Sequence, residues 1–336
     1  MKKWSFFCVL AIISMCFSAV AAEGDRLIVV DKLGNGNFTS INAAINSLPE
    51  INIVPTTILI KKGTYEEKVL INRDHVNLIG ESRSETKIMF NQLKKDWQEK
   101  KDYEGAAVLN ITGDDVVIKN LTLQNTMPKV GPTAYVIYST GTQNIFFNCD
   151  ILNNGANTVC LMDYKNGRYF LKDCRIEGTV DFLKAMGWCY VENCSFYQRE
   201  AISSIWHARV GNFDQKMVIK NSSFDGVEHF FLGRSHYDAL FFIVGCNFSK
   251  NLANKEFYRK TYEEDVEKAR NYPDEFGCNY YFSENKQTKT NYKWLKESNL
   301  KEYRKKLKAK NLNASFVFGN NWNPERVLNG LAEGSL

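Results

Sequence analysis

The sequence predicts an all-β fold, a parallel β-helix. Three observations carry that expectation: a short strand-corner-strand unit that recurs with drift, a spacing of roughly 20 to 28 residues between copies, and asparagine at many of the corners. The copies begin with Val116-Val117-Ile118-Lys119-Asn120 and Asn144-Ile145-Phe146-Phe147-Asn148, and continue through Tyr169-Phe170-Leu171-Lys172-Asp173-Cys174 and Tyr190-Val191-Glu192-Asn193-Cys194. Met217-Val218-Ile219-Lys220-Asn221 and Phe241-Phe242-Ile243-Val244-Gly245-Cys246 complete the series. One unit is too short to bury its own inner face, so units must stack, and stacking makes a solenoid with a continuous core. Leucine-rich repeats share this length range, but they need regular leucine spacing, whereas these strands are Val, Ile and Phe with Asn corners.

The other elements follow in chain order. Lys2 and Lys3 precede an apolar run from Trp4 to Val20 and the small residues Ala19, Ala21 and Ala22, the layout of a secretory signal over 1–22. A lipoprotein signal at Cys16 is the alternative, weakened by the bulky Met15 before it. The rest, 23–336, reads as a single domain. Leu27-Ile28-Val29-Val30 is a strand and Gly34-Asn35-Gly36-Asn37 a turn. Ser40, Ile41, Ala44, Ile45 and Leu48 then space as a short amphipathic helix that caps one end. Early coils are read at Thr57-Ile58-Leu59-Ile60 and around His75 to Gly80, and the ladder is expected to end near Asn251. Charged stretches over 255–271 and 299–310 read as a helical C-terminal extension, lying along the solenoid or closing its end.

Composition narrows the function. The chain has 336 residues, 44% of them hydrophobic and 24% charged, which is ordinary for a globular protein. Loss of Lys2 and Lys3 with the signal lowers the formal charge from +5 to +3, too little to indicate nucleic acid. Of the 9 cysteines, Cys149, Cys160, Cys174, Cys189, Cys194, Cys246 and Cys278 remain, with no CxxC pair. The four histidines, His75, His207, His229 and His236, lack zinc-motif spacing, so no metal and no cofactor are expected. Seven positions fit the N-glycosylation pattern, yet Asn120, Asn193, Asn221 and Asn247 fall in the ladder and read better as corner residues.

The chemistry concentrates at Asp181, an acid in the apolar run Val180-Asp181-Phe182-Leu183 that needs a cation if buried. Leu232-Gly233-Arg234 offers one. A structural ion pair between two ladder residues is the plainer reading. Tyr135, Tyr164, Trp188, Trp206 and Arg209 are candidates to line a sugar groove, although rings in such a ladder are more often core.

Several of these segments, in order, resemble the pectin methylesterases (pectinesterases). They are Gly34-Asn35-Gly36-Asn37-Phe38-Thr39-Ser40-Ile41, Lys62-Gly63-Thr64-Tyr65-Glu66-Glu67, Glu177-Gly178-Thr179-Val180-Asp181-Phe182, Leu232-Gly233-Arg234 and Phe318-Gly319-Asn320-Asn321-Trp322-Asn323-Pro324. The resemblance implies a right-handed parallel β-helix that removes methyl esters from galacturonate in pectin or pectic oligosaccharides, exported and acting as a monomer. It assigns Asp181 as nucleophile and Arg234 as its orienting partner. It also exposes departures. Asn157 stands where the family has its general acid, Thr133 where it has an oxyanion glutamine, and His236 where it has a cleft tryptophan.

An amide cannot give up a proton at neutral pH, so Asn157 is restricted to donating a hydrogen bond. His236 and His207 are the candidate substitutes, against the plainer reading of each as a satisfied or surface histidine. Lys184 pairs either with Asp181 or with a substrate carboxylate, or is solvated. Cys174 and Cys194 match positions that some members bridge. A non-catalytic β-helix that binds acidic polysaccharide, and an esterase for a different pectic ester, are the rival functions.

Overall fold

In the computed structural model, residues 26–210, 212–260, 275–300, 307 and 309–333 are described. The expected signal over 1–22 and most of the two charged stretches lie outside them. Among the described residues, parallel strands form three sheets of ten, nine and eight strands. Each coil contributes one strand to each sheet in turn, as Arg168–Lys172 (sheet 1), Arg175–Gly178 (sheet 2) and Leu183–Met186 (sheet 3) do before Trp188–Glu192 re-enters sheet 1. Successive coils pair in register, for example Phe170 with Tyr190 and Ile176 with Phe196. The result is the right-handed parallel β-helix that the repeat predicts.

Register turns sequence drift into continuous rows. Along sheet 2, Phe196, Phe224 and Phe248 stack with ring centroids 4.6 and 5.1 Å apart, close to the rung spacing of a β-sheet. The corner from sheet 1 to sheet 2 is equally regular. Asn120, Asn148, Asp173, Asn193 and Asn221 all take left-handed φ between 51° and 60°, the conformation Asn and Asp tolerate best among residues with a Cβ. Their side chains link coils, Asn148 Nδ2 donating to Asn120 Oδ1 at 2.8 Å and Asn120 Nδ2 to the Gly80 carbonyl at 2.8 Å. Asn247 differs from its expected place: Gly245 makes that corner, and Asn247 begins the next strand with its side chain exposed.

The helix Ile41–Asn46 plugs the N-terminal end as expected, burying Ile41, Ala44 and Ile45. Glu67 caps it, accepting from the backbone N–H of Ile41 at 2.9 Å and from Ser40 Oγ at 2.9 Å, which gives part of the Gly63-to-Glu67 motif a structural purpose.

The C-terminal region departs from the sequence reading. The ladder runs past Asn251 to Cys278–Ser283 and Lys286–Gln287, and 255–260 holds the strand Tyr258–Arg259 instead of helix. The described C-terminal α-helices are Ala314–Phe318 and Pro324–Glu333. They lie along sheet 1, where Val317, Phe318, Trp322 and Leu328 cover the outward row Phe170, Tyr190, Val218 and Phe242. Leu300 and Leu307, from the second charged stretch, pack against the same row. No helix among the described residues is long and apolar enough to cross a membrane.

Candidate active site

Asp181 sits at the corner between sheets 2 and 3, in the left-handed conformation with φ 48°. The turn that carries it is tight. A Cβ on Gly178 would come within 2.2 Å of Thr158 Oγ1 and 2.6 Å of the Phe182 Cβ, so only glycine fits there. Phe182, the next residue, is fully buried and anchors the turn in the core.

Two coils later, alternation along Phe231–Ser235 points Arg234 outward and lets it reach back. Its Nη2 donates to Asp181 Oδ2 at 2.8 Å, and its Nε to Oδ1 and Oδ2 at 3.0 and 3.2 Å. The preceding Gly233 leaves room for Phe257, whose ring a Cβ would meet at 2.3 Å. Asp181 and Arg234 are only 3% and 7% exposed, so the carboxylate has exchanged water for a forked guanidinium. A third donor went unnoticed in the sequence. Ser203 Oγ donates to Oδ1 at 2.6 Å. The signal for it was register alone, since Leu183 pairs with Ile205 and Asp181 therefore lies beside Ser203.

The other expected site residues separate into three groups. Asn157 occupies the same corner one coil before Asp181, because Val159 pairs with Leu183. It shares the left-handed conformation (φ 60°), its backbone N–H donates to the Val180 carbonyl at 2.9 Å, and its side chain is half-buried. Thr133 bridges to Ala156 and is half-buried as well, with its carbonyl accepting from the Lys94 N–H at 3.0 Å. Asn157 thus lies one coil from the acid and Thr133 a further coil back.

A second group forms the outward face of sheet 3. Cys160, Lys184, Trp206, Arg234 and Tyr258 follow one another in register. The Lys184 ammonium lies 4.4 Å from the Trp206 ring centroid, and Lys94 lies 5.8 Å from that of Tyr135. Beyond Arg234, Lys255 is 4.1 Å from the centroids of both Phe231 and Tyr258. Trp206 is therefore not the open platform expected. It is buried under Lys184, with the His236 and Tyr237 rings edge-on at 6.0 and 6.5 Å. Tyr135 is likewise nearly buried, and desolvation holds its hydroxyl above the usual tyrosine range.

The third group leaves the site. His207 alternates with Trp206 and points into the core. Its Nε2 bonds the Gly187 carbonyl at 3.0 Å and its Nδ1 accepts from the Leu240 N–H at 3.3 Å, which fixes the neutral Nε2–H tautomer. Burial pushes its pKa down to about 4. Trp188 and Arg209 belong to a cleft on sheet 1. Cys174 and Cys194 are unbridged, with the Cys174 N–H directed at Cys194 Sγ at 3.4 Å, and all seven cysteines of the described region are free thiols. No cluster of three or more metal-binding side chains occurs among the described residues.

The arrangement offers an aimed carboxylate, an amide one rung away, and cations set against aromatic rings on both sides. That is equipment for nucleophilic attack on an electrophilic carbon. Comparison with known proteins agrees. The sequence model of the family described as Pectinesterase matches residues 27–216. A pectinesterase of Petunia integrifolia is 31% identical over 169 residues, covering 50% of this chain and 43% of its own length. Pectinesterase 1 of Citrus sinensis is 30% identical over 193 residues, covering 57% of this chain and 30% of its own. This chain thus spans less than half the length of either relative. The pectin methylesterase from Aspergillus niger superposes with a TM-score of 0.71 at 19% identity, over 90% of this chain and 96% of that one, which shows the shared fold.

Proposed function

The chain belongs to the pectinesterase family, and from that premise we propose that it hydrolyses methyl esters of galacturonate in pectin or pectic oligosaccharides, with Asp181 as nucleophile. The observation that carries the reading is the forked Arg234 grip on Asp181, which holds a nearly buried carboxylate oriented. Oδ2, not tied to Ser203, attacks the ester carbonyl carbon. The carbonyl oxygen takes up negative charge, and the Asn157 amide is placed to donate to it. The bond to methoxide then breaks, and methoxide takes a proton from water because Asn157 has none to give. Water hydrolyses the acyl-enzyme, releasing the acid and restoring the Asp181 carboxylate. Lys94, Lys184 and Lys255 meet the free carboxylates of neighbouring sugars. The protein acts outside the cell, its first 22 residues serving as the export signal.

The test is methanol release from methylated pectin by the purified protein. Release by the wild type and its loss in Asp181→Ala support the reading; absence of release across pectins and oligosaccharides of varied esterification overturns it. One observation favours a second reading: with Asn157 at the acid position, the face suits retention of acidic polysaccharide without turnover. Saturable binding with no methanol or acetate released, unchanged in Asp181→Asn, identifies that case.

A further inference from the structure

Trp188 and Arg209 line a cleft of about 670 Å³ on the outward side of sheet 1, around a corner from Asp181. Its floor follows the register row through Arg168, Trp188 and Leu240, and its walls are the turn bearing Phe213 on one side and the helix Ala314–Phe318 on the other. Three features of this cleft go unused by the chemistry at Asp181.

The first is positive charge in the lining. Lys216 is matched by Asp214 at 2.7 Å, whereas among the described residues neither Arg168 nor Arg209 is in a salt bridge. Arg209 is almost buried, held by the carbonyl oxygens of Phe213, Phe276 and Gly277 at 3.0 to 3.1 Å, and its Nε has no partner at all. Its nearest described carboxylate is the buried Asp238, which accepts from the N–H groups of Glu275, Phe276 and Gly277 and lies behind the cleft lining. The second is aromatic surface. Phe213 is 67% exposed at the rim beside Phe276, with centroids 6.4 Å apart, and Trp188 lies 5.3 Å beneath the Arg168 guanidinium. Exposed rings of this size on a folded surface mark contact sites. The third is amide groups. Asn279 Oδ1 is taken by Arg209, which leaves its NH₂ to donate elsewhere, and Asn321 also lines the cleft.

Cations for carboxylates, flat rings for pyranose faces and amides for hydroxyls together describe one ligand class. We propose that this cleft is a second glycan site that holds a uronate-bearing oligosaccharide without cleaving it, tethering the polymer while another stretch is processed on sheet 3. The one carboxylate in the lining, Asp214, is occupied by Lys216 and by Trp188 Nε1 at 3.2 Å, so the cleft has no nucleophile of its own.

The experiment uses the full chain and a fully de-esterified galacturonate oligosaccharide, so it does not depend on turnover. Hydrogen exchange is followed with and without the oligosaccharide, and affinity is measured by calorimetry for the wild type, Phe213→Ala and Arg168→Ala. Phe213 is at the rim and Arg168 at one end of the floor, and neither substitution touches the core or the Asp181 corner. Protection over 212–216 and 276–279, weakened about tenfold in affinity by either substitution, is the expected result. Protection confined to 179–184 and 203–206 overturns this inference while leaving the sheet 3 reading standing. Protection of the cleft with none near Asp181 supports it and removes support from that reading. No protection anywhere, or equal protection by inorganic phosphate alone, overturns it.

Discussion

Two corners of the same coil use the same backbone conformation for different ends. At the corner between sheets 1 and 2, Asp173 is left-handed at φ 56°, and its carboxylate accepts from Asn193 at the equivalent corner one coil on. At the corner between sheets 2 and 3, Asp181 is left-handed at φ 48°, and its carboxylate is gripped by Arg234 two coils away and by Ser203. The first acid is a rung in a ladder of like residues, satisfied by its neighbour. The second has Ser203 on the next rung and, in addition, a guanidinium brought from a strand two coils on. Backbone strain therefore does not distinguish a structural acid from a reactive one; the origin of its hydrogen-bond donors does.

The sharpest test exchanges oxygen for nitrogen at both corners. Asp181→Asn is expected to lower methanol release by at least about 10⁴-fold, the scale of losing a nucleophile, whereas Asp173→Asn leaves kcat unchanged. Asn157→Asp, which supplies a proton donor one rung from Asp181, is expected to raise kcat by about 10²-fold or more. A gain with unchanged KM places the new acid in the transition state, and no gain shows that the Asn157 position has lost its line to the leaving group.

A third prediction concerns the core between these corners. Folding holds His207 near pKa 4 against about 6.5 when unfolded, so the unfolded chain takes up the proton first. Stability is then fully present above about pH 6.5 and falls by about 3 kcal/mol as the pH drops to about 4. Melting temperatures across that window check it, with a shallower slope expected in His207→Gln, whose amide can replace both ring bonds. The smallest effect belongs to the structural corner. Asn148→Ala removes the bond to Asn120 and places Ala in a left-handed site, an expected cost of about 2 kcal/mol with activity per folded molecule unchanged.

The solenoid was legible because each coil repeats the same strand and corner, so error in one unit was corrected by the next. Asp181 and Arg234 were legible because a buried charge in an apolar strand demands a partner. Ser203 was not, since nothing in Ala201-Ile202-Ser203-Ser204 marks it and only the strand pairing brings it to the acid. His207 faces the core because neighbours within a strand face opposite ways, and Lys184 and Arg234 fix Trp206 on the outer side. Trp188 and Arg209 lie on sheet 1 rather than beside Asp181, because composition does not tell one sheet from another.

The helices that lie over sheet 1 carry a consequence for biosynthesis. The strip formed by Phe170, Tyr190, Val218 and Phe242 is assembled from coils made well before residues 314–333 leave the ribosome. Until then a greasy seam stays uncovered on a nearly finished solenoid, and it invites self-association. Removing the last turn of chain, or stalling its synthesis, should therefore show first as clumping rather than as loss of coils.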